Sequence, residues 1–361
     1  MKKLYIFIVL NLALGISSTY STASAAGYRF VTTWGALGSI EGAFDAPVGI
    51  AVASTGEVYV ADTNNHRIQK FTSKGKLIIS WGSQGTNMGE FYFPGGVAVD
   101  AAGTVYVADT NNSRIQKFTP KGKLIISWGS LGANMGEFNF PGGVAVDAAG
   151  NVYVADTNNS RIQKFTSRGF FITGWGSSGS AAGMFATPFG VAVDRAGNVY
   201  VADYSNHRIQ KFTSQGNFIT AWGSLGKNVG QFYFPTGVAV DLKGNVYVVD
   251  YNNFRIQKFS ASGTFITSWG SLGSNIGEFN APSGISVDVA GNVYVADSEN
   301  NRIQKFTSTG KFITTWGVKG SNAGELDFPN GVAASLFGIS VYVIDTNNNR
   351  VQKFRRSLFA K

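Results

Sequence analysis

The stretch FPGGVAVDAAGNVYVADTNNSRIQKFTSRGFFITGWG, residues 140–176, divides at its own turn residues. Four runs rich in Val, Ile, Phe and Tyr remain, GVAVD, NVYVAD, RIQKF and FFITGW, separated by AAG, TNN and SRG. Branched and aromatic side chains suit a pleated, half-buried surface, whereas Gly, Asn and Ser clusters turn the chain. No run has helical spacing, and none is long enough for an ordinary helix. The stretch predicts a four-stranded antiparallel meander.

The meander repeats with a fixed period. Trp34, Trp81, Trp128, Trp175, Trp222, Trp269 and Trp316 are all the tryptophans of the chain, and successive ones lie 47 residues apart. Pro47, Pro94, Pro141, Pro188, Pro235, Pro282 and Pro329 follow them, each 13 residues later, and only Pro120 stands outside the series. A period of this length marks a solenoid or a propeller, and a meander in every period is a propeller blade. The ends decide the count. The last repeat stops at Phe354 with three strands, while YRFVTTWG at 28–35 is a fourth strand lacking the other three. Pairing 28–35 with 345–354 completes the last blade and leaves the ring with no open edge. The fold class expected is all-β: a seven-bladed β-propeller of four-stranded antiparallel blades, closed by its N-terminal strand.

The pattern GNVYVADTNNxRIQKF, preceded by FxxPxGVAVD, resembles the NHL repeat over nearly all of residues 28–354. The resemblance implies a propeller. Members often have six blades, so a six-bladed arrangement is the alternative to the seven given by strand arithmetic. Relatives include an amidating lyase, RNA-binding ubiquitin ligases and a bacterial sensor-kinase ectodomain. This chain lacks the lyase's histidine set and the RING domain of a ligase, which leaves the ligand-binding, sensor-like use as the one it can share.

Ahead of the repeats, Lys2 and Lys3 precede an apolar run from Leu4 to Ile16, and Ala23-Ser24-Ala25 supplies a small-x-small site. This order reads as a secretory signal at 1–25, leaving residues 26–361 as one propeller domain. The apolar run is about 13 residues long against the ~20 that span a bilayer. The chain is therefore expected to be secreted, to the extracellular space, periplasm or cell surface, which argues against nucleic acid as a partner. It has no cysteine, which excludes disulfides, thiolate metal sites and a Cys nucleophile. His66 and His207 are its two histidines, too few for a three-His zinc site. No GxxxxGK followed by Ser or Thr is present, so no P-loop is expected.

DTNNSRIQKF occurs unchanged at 109–118 and 156–165, and its Asp and Arg recur in all seven repeats, from Asp62 and Arg67 to Asp345 and Arg350. Asp and Asn beside a tight turn bond nearby backbone N–H groups, and Arg can return to the Asp carboxylate. A group needed once for catalysis is not needed seven times around a ring, so the phrase reads as a structural turn lock. The rings of FITxW are expected to fill the space between neighbouring blades.

Function then lies where repeats differ. The connections between blades and the turns from second to third strand share one face, here the loop face. The remaining turns share the other, the turn face. On the loop face the aromatic departures fall on two adjacent blades: Phe189, Tyr204 and His207 in the fourth, Tyr251 and Phe254 in the fifth. These are the candidate ligand-binding residues, expected to form one exposed patch beside the central opening that holds a protein, peptide or glycan. On the turn face Lys74, Lys76, Lys121, Lys123, Arg168 and Arg195, with Lys243 and Lys311, form a candidate basic surface for an anionic envelope or polymer. The reading is a binding or scaffold module without a cofactor. A metal-assisted propeller hydrolase, lactonase or lyase is the alternative. Asp100, Asp147, Asp194, Asp241 and Asp288 would then offer oxygen ligands to a hard cation such as Ca2+, although turn capping explains a repeated set more simply.

Overall fold

The computed structural model describes residues 27–357, and the export segment expected at 1–25 lies outside the described residues. Seven four-stranded sheets are present. In blade 4 the strands are Pro188–Val193, Val199–Asp203, Arg208–Phe212 and Phe218–Trp222, hydrogen-bonded in that order from the central channel outward. Blades 1 to 7 open at Pro47, Pro94, Pro141, Pro188, Pro235, Pro282 and Pro329. Inner strands of neighbouring blades touch all around the ring, including blade 7 against blade 1. Blade 7 takes Tyr28–Trp34 as its outer strand, with Tyr28 opposite Arg356 and Trp34 opposite Val351. There are seven blades, not six, and the closure is the one the chain ends predict.

The second strand shows why this sequence stacks blades. Val199, Tyr200, Val201 and Ala202 are all fully buried, which a strand achieves only when both faces are covered. Alternation sends Val199 and Val201 against Tyr153, Ala155 and Phe185 on the blade 3 side. It sends Tyr200 and Ala202 against Phe232, Val246 and Val248 on the blade 5 side. The core is thus seven wedges between blades rather than one centre. Inner strands approach so closely that a side-chain carbon on Gly190 would sit 2.5 Å from the Thr236 carbonyl oxygen, so only glycine fits there.

The outer strand departs from the sequence expectation. Phe218 and Ile219 are exposed, and Trp222 is half-buried, because this strand borders solvent at the blade's rim. Trp222 still reaches the next blade: Gly263 lies under its ring, at a φ of +84° that favours glycine, and any side chain there would collide with the indole. The third strand contributes another inter-blade tie. Lys164 is buried, its Nζ lies 5.1 Å from the centre of the Tyr153 ring, and it donates to the Ser214 carbonyl of blade 4 at 2.8 Å. Lys353 does the same to Ser73 of blade 1 at 2.6 Å, which ties the ring shut.

Candidate ligand-binding face

The repeated Asp and Arg are a turn lock. Asp156 is fully buried. Its carboxylate accepts from Arg161 Nε at 2.7 Å, Gln163 Nε2 at 3.0 Å and the Asn139 N–H at 2.7 Å. The Arg161 guanidinium also donates to the carbonyls of Ala133, Asn134 and Glu137, and so pins the connection entering the blade. Four of the five Arg161 N–H groups are spent inside the fold, which is the pattern of a structural lock.

With the loops pinned, the loop face is shaped by three variable positions. After the turn Asp, the hydroxyls of Thr63, Thr110, Thr157 and Ser298 donate to the next blade's proline carbonyl at 2.7–3.1 Å. In blades 4 and 5 that hydroxyl is replaced by the rings of Tyr204 and Tyr251, on single helical turns at Tyr204–Asn206 and Tyr251–Asn253. Tyr204 stacks on Phe234 of the connection into blade 5, centroids 4.6 Å apart and 25° between planes. His207 lies 4.6 Å from the same Phe234 ring and 5.7 Å from Tyr233. Burial, then the nearby hydroxyls of Tyr251 and Tyr233, push the Tyr204 phenol above its ordinary value. Burial, then the Glu299 carboxylate, does the same to Tyr251.

Tyr204 and His207 are therefore brought together, half-buried, around Tyr233 and Phe234, and Tyr251 lies half-buried on the next blade, near enough for its hydroxyl to act on that of Tyr204. Phe189 is 48% exposed on the inner strand, with its ring turned toward Gly142 of blade 3. Phe254 is half-buried and packs onto the wedge between blades 5 and 6. Tyr233 and Phe234 escape a reading of strands and turns because they lie in a connection. Their signal is present all the same: FYFP occurs only at 91–94 and 232–235, each following a histidine by 27 residues at its second Phe.

That spacing has a cause. Phe93 and Phe234 hold the left-handed conformation, at φ of 52° and 57°, which turns their N–H groups toward the preceding blade. His66 Nδ1 accepts the first at 3.0 Å and His207 Nδ1 the second at 3.1 Å. In blades 6 and 7 Asn301 and Asn349 occupy the same position, and their Oδ1 atoms accept from Phe328 and Ala46. Burial holds both imidazoles below their ordinary value near 6.5, with nearby aspartates pulling partly the other way. A depressed histidine pKa lends stability that is complete above about pH 6.5 and drains away as pH falls toward the folded value, because the unfolded chain takes up the proton first. The melting temperature is expected to fall between about pH 7.5 and 5.5 by roughly 2 °C more in the native chain than in a His66→Asn, His207→Asn variant. Equal falls in a pair of thermal melts would refute this role.

On the turn face, Lys74, Lys76, Lys121, Lys123, Arg168 and Arg195 are all exposed. At the channel mouth on this face, a cavity of about 310 Å³ is lined in part by Asp100, Asp241 and Asp288. The aspartates cap their own turns. Asp147, for example, accepts from the N–H groups of Ala149 and Asn151, from Asn151 Nδ2 and from the Tyr153 hydroxyl. Among the described residues no group of three or more His, Asp or Glu side chains is arranged to hold a metal ion.

The NHL repeat pattern matches residues 44–71, 91–118, 138–165, 185–212, 232–259 and 279–306. Human E3 ubiquitin-protein ligase TRIM32 is 54% identical over 48 residues, 13% of this chain and 7% of that protein. B-box type zinc finger protein ncl-1 of Caenorhabditis elegans is 51% identical over 43 residues, 12% and 5%. The chain thus aligns with under a tenth of the length of either relative. A streptogramin B lyase structure superposes with a TM-score of 0.72 at 16% identity, covering 93% of this chain and 100% of that one. Virginiamycin B lyase from Staphylococcus aureus, in a catalytically inactive form with quinupristin, gives 0.69 at 16% identity, covering 91% and 98%. These structural likenesses are of fold. Six matched repeats within a closed ring of seven blades establish that the chain belongs to the NHL-repeat family, as a seven-bladed β-propeller.

Proposed function

We propose that this propeller is an exported binding module that holds a protein, peptide or glycan on its loop face, at Phe189, Tyr204, His207 and Tyr251, with Tyr233 and Phe234 as the floor. One observation carries the reading. In two adjacent blades the threonine that bonds to the neighbouring blade gives way to tyrosine, at the same place where the aromatic side chains gather. A neutral hydrogen bond contributes about 1 kcal/mol, and a fold that replaces it twice side by side with rings favours surface over stability. Half-buried tyrosines on a rigid scaffold offer an apolar face and a hydroxyl at low entropic cost, which suits peptide and sugar rings alike.

The test is an array of glycans and peptides probed with the native propeller and with a Phe189→Ala, Tyr204→Ala, Tyr251→Ala variant of equal thermal stability. The variant is expected to lose about tenfold or more in affinity for whatever the native protein retains. Equal retention would move the site elsewhere. A silent array together with turnover of a lactone would replace binding by catalysis. Export is part of the same reading, and N-terminal sequencing of the secreted chain is expected to begin at Ala26.

A further inference from the structure

Ring closure assembles a surface that the linear sequence scatters. Arg29 on the outer strand of blade 7 stands opposite Arg355, and Tyr28 opposite Arg356, so three exposed arginines from the two ends of the chain meet on the turn face. The lysine ties between blades then carry the charge onward. Lys353 holds the blade 1 turn at Ser73, beside exposed Lys74 and Lys76. Lys70 holds the blade 2 turn at Pro120, beside Lys121 and Lys123, and Lys117 holds the blade 3 turn at Ser167, beside Arg168. Lys311 of blade 6 extends the arc at its other end. The equivalent turns of blades 4 and 5 carry Gln215, Asn217, Ser262 and Thr264, so the cations of this outer rim lie on five consecutive blades, while Arg195 of blade 4 and Lys243 of blade 5 stand singly on the first turns of the same face. Of the carboxylates on these blades of the face, Glu57 is already bonded to Lys70 and Thr55, and Asp100, Asp147 and Asp288 cap their own turns.

Apolar tips flank the cations on the same face. The first turn of blade 7 is one residue longer than the others, putting Asp345 48 residues after Asp297, and it presents Leu336 and Phe337 at 57% and 66% exposure. The tip is held in place: the Leu336 carbonyl accepts the Val289 N–H at 2.9 Å and the Ile339 carbonyl accepts the Arg356 N–H at 2.9 Å. At the far end of the arc Phe170, 67% exposed, stands two residues from Arg168. A flat face that joins one-signed charge to projecting Phe and Leu matches the surface of an anionic bilayer, where cations meet headgroups and apolar tips enter the acyl boundary. A soluble polyanion would use the cations and leave the tips idle.

We propose that the turn face of this propeller docks on an anionic lipid bilayer, through the arc from Lys311 and Arg356 to Arg168 and the Leu336–Phe337 tip. Docked in this way, the molecule turns its loop face, with the aromatic cluster, outward from the lipid. The surface is separate from the loop-face site, and each stands or falls without the other.

Vesicle flotation with a chain of residues 27–361, which contains the propeller and is free of the apolar N-terminal segment, tests this. The protein is expected to float with phosphatidylcholine vesicles containing about 30% phosphatidylglycerol, and to stay behind with pure phosphatidylcholine or in about 0.5 M salt. Lys74→Gln, Lys76→Gln, Lys121→Gln, Lys123→Gln is expected to reduce partitioning about tenfold or more. Leu336→Ser, Phe337→Ser should reduce it severalfold without moving the melting temperature, and Phe170→Ser serves if that pair destabilises the turn. Lys227→Gln, Lys319→Gln on the loop face should change nothing. Absence from anionic vesicles, equal binding to neutral ones, or full binding by the serine variants would each overturn the proposal, the last by showing a site for soluble polyanions or RNA instead.

Discussion

A chain lacking residues 28–35 is expected to melt about 10 °C or more below the intact propeller, or to lose its single cooperative transition. Those residues fill two wedges at once. On one side Trp34 is 8% exposed and packs its ring 5.6 Å from Phe71 and 6.2 Å from Tyr342. On the other, Tyr28 stacks on Trp316 at 4.6 Å, its hydroxyl pairs with Tyr294 at 2.9 Å, and it donates to the Gly338 carbonyl. Phe30 meets Phe354 at 6.2 Å. Three rings at about 1.5–3 kcal/mol each are a large part of a native stability of about 5–15 kcal/mol. Tyr28 has a second duty. The third-to-fourth turn that would accept Lys305 is cut in blade 7 by the chain ends, and Lys305 instead lies 5.2 Å from the Tyr28 ring with its Nζ 3.5 Å from the hydroxyl. Tyr28→Ala alone should therefore cost about 3 kcal/mol. Calorimetry decides the matter, and a deletion that melts like the intact chain would mean that the blades hold without the closing strand.

Asp156→Ala is expected to destabilise the protein by about 3–5 kcal/mol while leaving ligand capture by the folded fraction unchanged. The substitution removes the acceptor of Arg161, Gln163, Asn159 and the Asn139 N–H together, leaving a nearly buried guanidinium without its counter-charge. Asp297→Ala removes the same lock in blade 6, where Arg302 donates at 2.7 Å. The two blades share no side chain in these networks, so the two losses should add within about 0.5 kcal/mol in chemical denaturation. A single lock whose loss abolished binding without lowering stability would reverse the assignment of this phrase from scaffold to site.

The two variants also mark how far the sequence reads into the structure. Strand identity, the blade and its lock are local matters, set by alternation, turn residues and a carboxylate five residues from its arginine. Blade number and closure follow from counting a strict period and seeing that the two ends of the chain hold complementary parts of one blade. By contrast, the candidate site depends on partners 27 residues apart on different blades, as with His207 and Phe234, and the ties between blades reach 50 residues, as with Lys164 and Ser214. Alternation fixes the side from which a ring leaves its strand. It does not fix what stands opposite, which is why Phe189 turns toward blade 3, Phe254 sinks onto a wedge and Phe218 stays at the rim. The sequence by itself determined a closed ring of seven blades with identical locks. Only the tertiary structure decided how deep each aromatic sits and that Arg29, Arg355 and Arg356 join one arc of charge, because burial and charge density depend on the distance between blades and not on position along the chain.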